Sequence, residues 1–258
     1  MSPGAVAAEP PLPRLRRYAV LGVSASAARP ASALAAIEAA ITGGLKTHVC
    51  FATVHGVMEA LRNPAVRRAY NRGLTVPDGM PLVWLGRLLG HPEVARVYGP
   101  DMTLWLCEEA AKQDWGCYFY GGTAGVAQRL AEAMERRFPG LRTAGWDSPP
   151  FRPLTPEEDA EAVDRINAAK PDLVFVGLGC PKQELWMAEH RERLQAPVLL
   201  GVGAAFDFHS GGARQAPGWM QRTGLEWLFR LGQEPRRLWY RYLVLNPLFV
   251  MHVTLQLL

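Results

Sequence analysis

One carboxylate, Asp78, interrupts the run Leu74-Thr-Val-Pro-Asp-Gly-Met-Pro-Leu-Val-Trp84 at the point where a strand-like apolar segment stops and a helix begins. Pro77 forbids continuation of a preceding helix, and Gly79 lets the backbone turn tightly. Pro81 fits the first turn of the helix that Leu82, Val83, Leu85, Leu88 and Leu89 make amphipathic. An acid in such an exposed turn is available for proton transfer, or it caps the helix that follows; the local sequence leaves both roles open.

Other chemistry-bearing residues also sit directly after strand-like runs. In Tyr120-Gly-Gly-Thr-Ala-Gly125, Gly121 and Gly122 let backbone N–H groups and a positive helix end approach a phosphate, or they serve only a tight turn. The segment is neither G-x-G-x-x-G nor a phosphate loop ending in Lys-Ser/Thr. In Gly177-Leu-Gly-Cys-Pro-Lys-Gln-Glu184, Lys182 suits a phosphate and Gln183 a sugar or base, while the same cluster, with Glu184, also suits a helix start. Gly201 to Gly212 ends a strand with small residues that admit a ligand, and Asp207 and His209 read there as paired structural groups. Thr53-Val-His55 follows another strand and lies beside the Asp78 loop if the two strands are neighbours. No G-x-S-x-G elbow exists and the serines fall outside the strand-to-helix turns, so a Ser-His-Asp hydrolase is unsupported.

The elements that must carry these loops alternate in period. Strand-like runs at Tyr18 to Val23, His48 to Thr53, Gly116 to Tyr120, Asp172 to Gly177 and Pro197 to Val202 are separated by helical patterns. Those patterns lie at Ala31 to Ile41, Gly56 to Asn71, Asp101 to Lys112, Ala124 to Arg137, Pro156 to Ala169 and Glu184 to Leu194. This is an α/β pattern, a mainly parallel, Rossmann-like sheet with flanking helices and a C-terminal basic helical appendage. In such sheets ligands bind beyond the carboxyl ends of the strands, where the loops above are placed.

The 258 residues, 49% hydrophobic, are enough for a proper core. The four cysteines form no C-x-x-C pair and do not cluster with histidines, so the expectation is a reducing, cytoplasmic setting without a disulfide scaffold or zinc site. Residues 1–16, rich in Ala and Pro, read as a disordered leader rather than a signal peptide; residues 17–212 read as the core and 213–258 as the appendage.

Charge gathers in that appendage. From Arg214 to Arg241 six arginines face two glutamates, an excess equal to the +4 of the whole chain. The apolar run Tyr242 to Leu258 is interrupted by Asn246-Pro247, His252 and Gln256, too short and broken to span a bilayer, which needs ~20 apolar residues. Such a segment lies on anionic lipid, with Trp227, Trp239, Tyr240 and Tyr242 at headgroup depth, or packs on the core or on a second copy of the chain. No nucleic-acid partner is expected.

Taken in order, several motifs resemble the WecG/TagA/CpsF family of bacterial glycosyltransferases. They are Thr53-Val-His55, Pro77-Asp-Gly-Met-Pro81, Arg96-Val-Tyr-Gly-Pro-Asp101, Tyr120-Gly-Gly122, Gly177 to Glu184, Gly201 to Phe208, Gly224-Leu-Glu-Trp-Leu-Phe-Arg230 and Glu234-Pro-Arg236, spanning nearly the whole chain from residue 18. The resemblance implies a cytoplasmic enzyme, peripheral on the inner face of the cell membrane. It would move an N-acetylmannosamine-type or related hexose, with inversion, from a UDP-sugar to an undecaprenyl-diphosphate-linked acceptor during surface or exopolysaccharide synthesis. It further implies Asp78 as catalytic base, Thr53 and Gln183 as active-site polar groups, and Arg96 as a donor contact. The appendage would dock on the bilayer and complete the site with arginines, here Arg230, Arg236 and Arg237. His55 stands where many members carry Asn.

Such an inverting transfer needs one base to take the acceptor hydroxyl proton, so a single carboxylate suffices. Arginines and helix ends can stabilise the leaving diphosphate. No Asp-x-Asp is present, so the expectation is no metal and no cofactor beyond the donor substrate. A nucleotide-dependent oxidoreductase would need a glycine fingerprint after the first strand, where residues 22–28 offer one glycine. A non-catalytic peripheral membrane scaffold of a polysaccharide assembly complex is the other alternative.

Overall fold

The computed structural model describes residues 15–258. The expected leader therefore lies, for residues 1–14, outside the described residues. Arg16, assigned to that leader, already belongs to the fold: its carbonyl accepts from Ala27 N–H and its guanidinium meets Glu93 at 2.8 Å.

The single strand expected over Tyr18 to Val23 is two strands. β1 (Arg17–Val20) and β2 (Val23–Ser26) pair antiparallel around Leu21 and Gly22, whose φ values are 50° and 84°. A two-residue turn with both φ positive matches the twist of a hairpin. Gly22 signals such a turn, but Leu21 does not. Leu21 is held there by packing against the core and by its N–H donating to Gln256 Oε1 at 2.7 Å, a contact with the far end of the chain.

The expected parallel sheet is present. β3 (Thr47–Ala52), β4 (Leu74–Pro77), β5 (Gly116–Gly121), β6 (Arg142–Asp147), β7 (Leu173–Gly177) and β8 (Val198–Gly201) form one sheet in the order β4-β3-β8-β7-β5-β6, and every pair is parallel. Successive side chains on a strand face opposite sides, and both sides here are covered. Val174, Val176, Leu199, Tyr118 and Tyr120 enter one apolar cluster, whereas Phe175, Leu173, Leu200, Phe119 and Val198 enter the other. This two-sided burial is why the strands read as unbroken apolar runs rather than as alternating ones. β6 escaped sequence reading because Arg-Thr-Ala-Gly-Trp-Asp at the sheet edge is largely unburied and carries no apolar period.

The helices between strands start where local chemistry tells them to. α2 (Val54–Arg62) is capped by Thr53, whose side chain accepts from Gly56 N–H. α3 (Pro64–Arg72) follows Asn63, which caps it, with Pro64 at its first position. α7 (Pro156–Ala168) begins with a full Thr155/Glu158 capping box. α1 (Pro30–Thr42), α5 (Gly99–Gln113), α6 (Val126–Arg137) and α9 (Ala205–His209) cover the Phe175 face; α2, α3, α4 (Met80–Leu88), α7 and α8 (Lys182–His190) cover the other.

The basic segment folds as α10 (Gly218–Arg222), α11 (Glu226–Gln233), α12 (Pro235–Trp239), a π-helical turn at Tyr240–Val244, and α13 (Leu245–Leu257). α13 returns to the core: Leu245 and Phe249 are buried in the Tyr120 cluster, and Gln256 Nε2 donates to Ala19 O at 3.0 Å. Pro247 is the third residue of α13, directly after the π-helical turn, where the regular helical hydrogen-bond ladder is already interrupted. Core packing and an outward apolar face thus coexist, since Leu243, Val250, Met251 and Leu255 remain exposed. Among the described residues no helix is long and apolar enough to cross a membrane.

Gly121 fixes how closely β5 and β7 approach at the end that carries the loops. Its φ is 135°, and a Cβ there would lie 2.6 Å from the Gly177 carbonyl carbon. Gly121→Ala should therefore lose at least ~2 kcal/mol of unfolding free energy or fail to fold. Gly44→Ala, left-handed at φ 64° but with open space around it, should lose only about 1 kcal/mol. Denaturant midpoints of the two variants check the difference.

Candidate active site

The loops beyond the carboxyl ends of β3, β4, β5, β7 and β8 converge on one cavity of about 1270 Å³, and α11, α12 and the π-helical turn form its far wall. Register brings its first members together. β3 and β4 pair Ala52 with Pro77, so Thr53 and Asp78 are the next residues on neighbouring strands. The backbone N–H groups of Asp78 and Gly79 both donate to Ala52 O, at 2.9 and 3.1 Å, which holds the turn against the strand end.

Asp78 does not cap α4. Gly79 is the capping residue and receives no side-chain bond. Nor is Asp78 the exposed carboxylate expected of a turn: its side chain is 13% exposed and tied to Arg96. Arg96 Nη2 and Nε donate to Asp78 Oδ1 at 3.1 and 3.3 Å, and Nε also donates to the Asp78 carbonyl at 2.7 Å. The same Nη2 donates to Glu226 Oε2 at 2.6 Å, and the Tyr98 hydroxyl donates to Glu226 Oε1 at 2.9 Å. The guanidinium lies 4.0 Å from the centre of the Tyr98 ring. One arginine thus bridges a core carboxylate and a carboxylate from the appendage.

Burial pushes the Asp78 carboxyl up from 3.8 to about 6, Arg96 pulls against that rise and Glu226 adds to it. Arg96 itself is held further into its charged range by the two carboxylates. The implied donor contact by Arg96 is narrowed by this geometry. Its Nε and Nη2 are engaged with protein groups, and only Nη1 has no protein partner among the described residues.

His55 is the second residue of α2, on the cavity wall, with its Nδ1 buried and without a hydrogen bond. Burial, reinforced by nearby Arg241, pushes the imidazole down to about 4, so it is neutral at neutral pH. Gln183 is buried at the start of α8 and anchored by Nε2 donating to Gly201 O at 2.7 Å and to Glu184 Oε1 at 3.1 Å. Gln183 and Glu184 belong to the cavity wall, and their Oε1 and Oε2 atoms respectively are buried without hydrogen-bond partners among the described residues. Burial raises the Glu184 carboxyl. Lys182 lines the cavity with its ammonium 4.5 Å from the Phe151 ring centre.

The glycine turn divides. Gly122 lines the cavity, but its N–H already donates to Gly177 O at 3.0 Å and is not free for a phosphate. Gly121 serves strand approach, so a tight turn accounts for both glycines without a phosphate. As the sequence suggested, His209 is structural, its Nε2 within 2.9 Å of Pro100 O, whereas Asp207 is on the cavity wall.

Of the appendage arginines, Arg230 and Arg237 line the cavity and Arg236 does not. Arg241, which sequence reasoning passed over, does. Burial, with Arg230 and Arg237 adding their charge, lowers the Arg241 guanidinium, and among the described residues neither Arg230 nor Arg241 has a carboxylate within ion-pair distance. Guanidinium groups gathered without counter-ions suit a diphosphate. The expected headgroup aromatics also divide: Trp239 and Tyr240 are exposed, whereas Trp227 and Tyr242 pack together and line the cavity. Among the described residues no cluster of three or more His, Cys, Asp or Glu could hold a metal ion.

Comparison with known proteins gives the family of the chain. The model of the family described as "Glycosyl transferase WecG/TagA/CpsF family" matches residues 18–258. A protein of Bacillus spizizenii (strain ATCC 23059 / NRRL B-14472 / W23) is 33% identical over 186 residues, 72% of this chain and 70% of that one. One of Bacillus subtilis (strain 168) is 32% identical over 168 residues, 65% and 63% of the two chains. One of Staphylococcus aureus (strain MW2) is 27% identical over 190 residues, 74% and 70%. Each of the three is named N-acetylglucosaminyldiphosphoundecaprenol N-acetyl-beta-D-mannosaminyltransferase.

A carboxyl whose folded-state value lies above its ordinary one opposes folding once ionised. The stability it contributes is full below about pH 4 and is lost as pH rises through about 6. The gap between 3.8 and about 6 corresponds to on the order of 3 kcal/mol. Asp78→Asn should therefore be more stable than the wild type at neutral pH, by up to that amount, with the difference closing as pH falls toward about 4. Urea unfolding at several pH values checks it; equal stability at neutral pH would show that the site imposes no cost on the charged carboxylate.

Proposed function

Because the chain belongs to the glycosyl transferase WecG/TagA/CpsF family, we propose that it moves an N-acetylmannosamine-type or related hexose from a UDP-sugar to an undecaprenyl-diphosphate-linked acceptor. The names of its relatives support the sugar and the lipid-linked acceptor. The observation that carries the reading is the pairing within one cavity of an acid matched to base catalysis, Asp78, with Arg230, Arg237 and Arg241 from the appendage.

In this reading the acceptor hydroxyl attacks the anomeric carbon from the face opposite the diphosphate, so the centre inverts. Asp78 takes the hydroxyl proton. A carboxyl at about 6 is mostly ionised at neutral pH and is a stronger base than an ordinary aspartate. The bond to the diphosphate breaks as the new glycosidic bond forms, and UDP leaves with the electron pair. Its growing negative charge is met by the appendage guanidiniums, preorganised in the cavity without counter-ions of their own in the case of Arg230 and Arg241. Thr53, whose hydroxyl accepts from Gly56 N–H, and Gln183, both on the cavity wall, are the polar residues proposed to orient sugar hydroxyls.

The arginine cluster does the work that a divalent cation does in metal-dependent sugar transfer, so the reaction is proposed to need no metal. Association with the inner face of the membrane is supported by the exposed Trp219, Leu228, Trp239, Leu243, Val250 and Leu255 on the same segment as the arginines.

The assay is transfer from a panel of UDP-sugars to a short-chain lipid-diphosphate acceptor, with products read by mass. Asp78→Asn should lower kcat by at least ~100-fold, in the range expected for loss of a general base, while leaving liposome binding intact; a variant that retains transfer would remove Asp78 from the role of base, and a wild type that transfers no sugar in the panel would return the scaffold reading. Exhaustive chelation should leave wild-type turnover unchanged. Turnover that is lost to chelation and restored by Mg²⁺ or Mn²⁺ would end the metal-free reading.

A further inference from the structure

The appendage touches the machinery around Asp78 through one acidic side chain. Glu226, the first residue of α11, is 12% exposed in its side chain and shares Arg96 Nη2 with Asp78. The Glu226 bond is the shorter, 2.6 Å against 3.1 Å. Its other oxygen is fixed by the Tyr98 hydroxyl, while the Tyr98 ring supports the guanidinium that Glu226 engages.

We propose that Glu226 is a positioning residue that sets the base strength of Asp78 by competing with it for Arg96, so that Asp78 is a fully competent base only when the appendage is seated. The inference rests on the reading of Asp78 as the base and adds what controls it. An arginine paired with a single carboxylate lowers that carboxylate's proton affinity by one to three pH units, roughly tenfold to a thousandfold. A second carboxylate on the same guanidinium shares its charge and hydrogen bonds, and Glu226 accordingly acts to raise Asp78. With α11 displaced, Arg96 is left to Asp78 alone. The carboxylate then binds a proton more weakly and becomes a poorer base.

Among the described residues no other charged group stands in this position. Of the elements around Asp78, β3 and α2 bring Thr53, which is uncharged, and the neutral imidazole of His55. The approach to α5 brings Arg96 and Tyr98, and burial with the neighbouring carboxylates keeps the phenol protonated. Asp101, in the first turn of α5, interacts with Arg96 and Glu226. The Gly99 backbone lowers the Asp78 carboxyl slightly, and α4 presents Met80 and Trp84 to the cavity. Arg230, one turn along α11, is in the cavity, and the charges that act most on Asp78 are those of Arg96 and Glu226.

The test is a carbon-13 titration of the Asp78 carboxyl in the full chain, wild type against Glu226→Gln, assigned by its loss in Asp78→Asn. The midpoint should fall by about one pH unit in Glu226→Gln, and the acidic limb of kcat/KM should move down with it. At neutral pH kcat should fall several-fold while KM for the UDP-sugar stays within about twofold. Glu226→Asp keeps the charge but withdraws it from Arg96, so its midpoint should fall by a smaller amount. This variant keeps the test available if Glu226→Gln does not fold. A midpoint that is unchanged or raised in whichever of the two variants folds overturns the proposal, as does a general loss of stability with an unmoved limb. The titration needs no turnover: if Asp78→Asn were active, the base assignment would fail while the Glu226 coupling would still be read from the midpoint.

Discussion

A single guanidinium holds this site in place. Arg96 spans the Asp78 carboxylate and carbonyl on one side and Glu226 on the other, and it rests on the Tyr98 ring. Two partly buried acids and one base leave an excess of one negative charge in a setting that desolvates it. Burial of the carboxylate is what lifts Asp78 to about 6, with Glu226 adding to the rise and Arg96 opposing it. The same contact joins residues 130 positions apart, so the position of the appendage and the electrostatics of the strand end depend on each other.

Everything that presents Asp78 to the cavity follows from how the sheet is packed. The parallel strands are buried on both faces, their ends are in register, and the turn after β4 hydrogen-bonds back to Ala52 at the end of β3. Glycine is needed at Gly121 because the β5 and β7 backbones come too close there for a side chain. The buried polar cluster of Gln183 and Glu184 leaves two oxygens without hydrogen-bond partners among the described residues, a cost carried on the wall of the cavity.

The appendage does two things that its amphipathic composition makes compatible. Its inward side delivers Glu226, Trp227, Arg230, Arg237, Arg241 and Tyr242 to the cavity, and Phe249 to the cavity and the core. Leu238 and Leu245 are buried, while Leu228, Trp239, Leu243, Met251 and Leu255 stay exposed. Guanidinium groups are a consistent choice for the cavity side, because they hold diphosphate oxygens in pairs and are less strongly hydrated than an ammonium.

Local signals in the sequence determined the helix starts at Thr53, Asn63 and Thr155, the parallel α/β architecture, the loops that bear the site and the concentration of positive charge near the C-terminus. Each of these depends on a residue and its near neighbours, or on a period along the chain. The edge strand at Arg142–Asp147 and the hairpin at Leu21-Gly22 were not legible, since one lacks a buried face and the other is held by a contact with Gln256. Tertiary structure alone decided that Asp78 is ion-paired and mostly buried rather than free, and that Gly122 N–H is already taken. It likewise decided that Arg241 rather than Arg236 enters the cavity and that Glu226 reaches Arg96. Those outcomes depend on desolvation and on pairings between segments far apart in the chain, and neither leaves a pattern in the residues that immediately precede and follow.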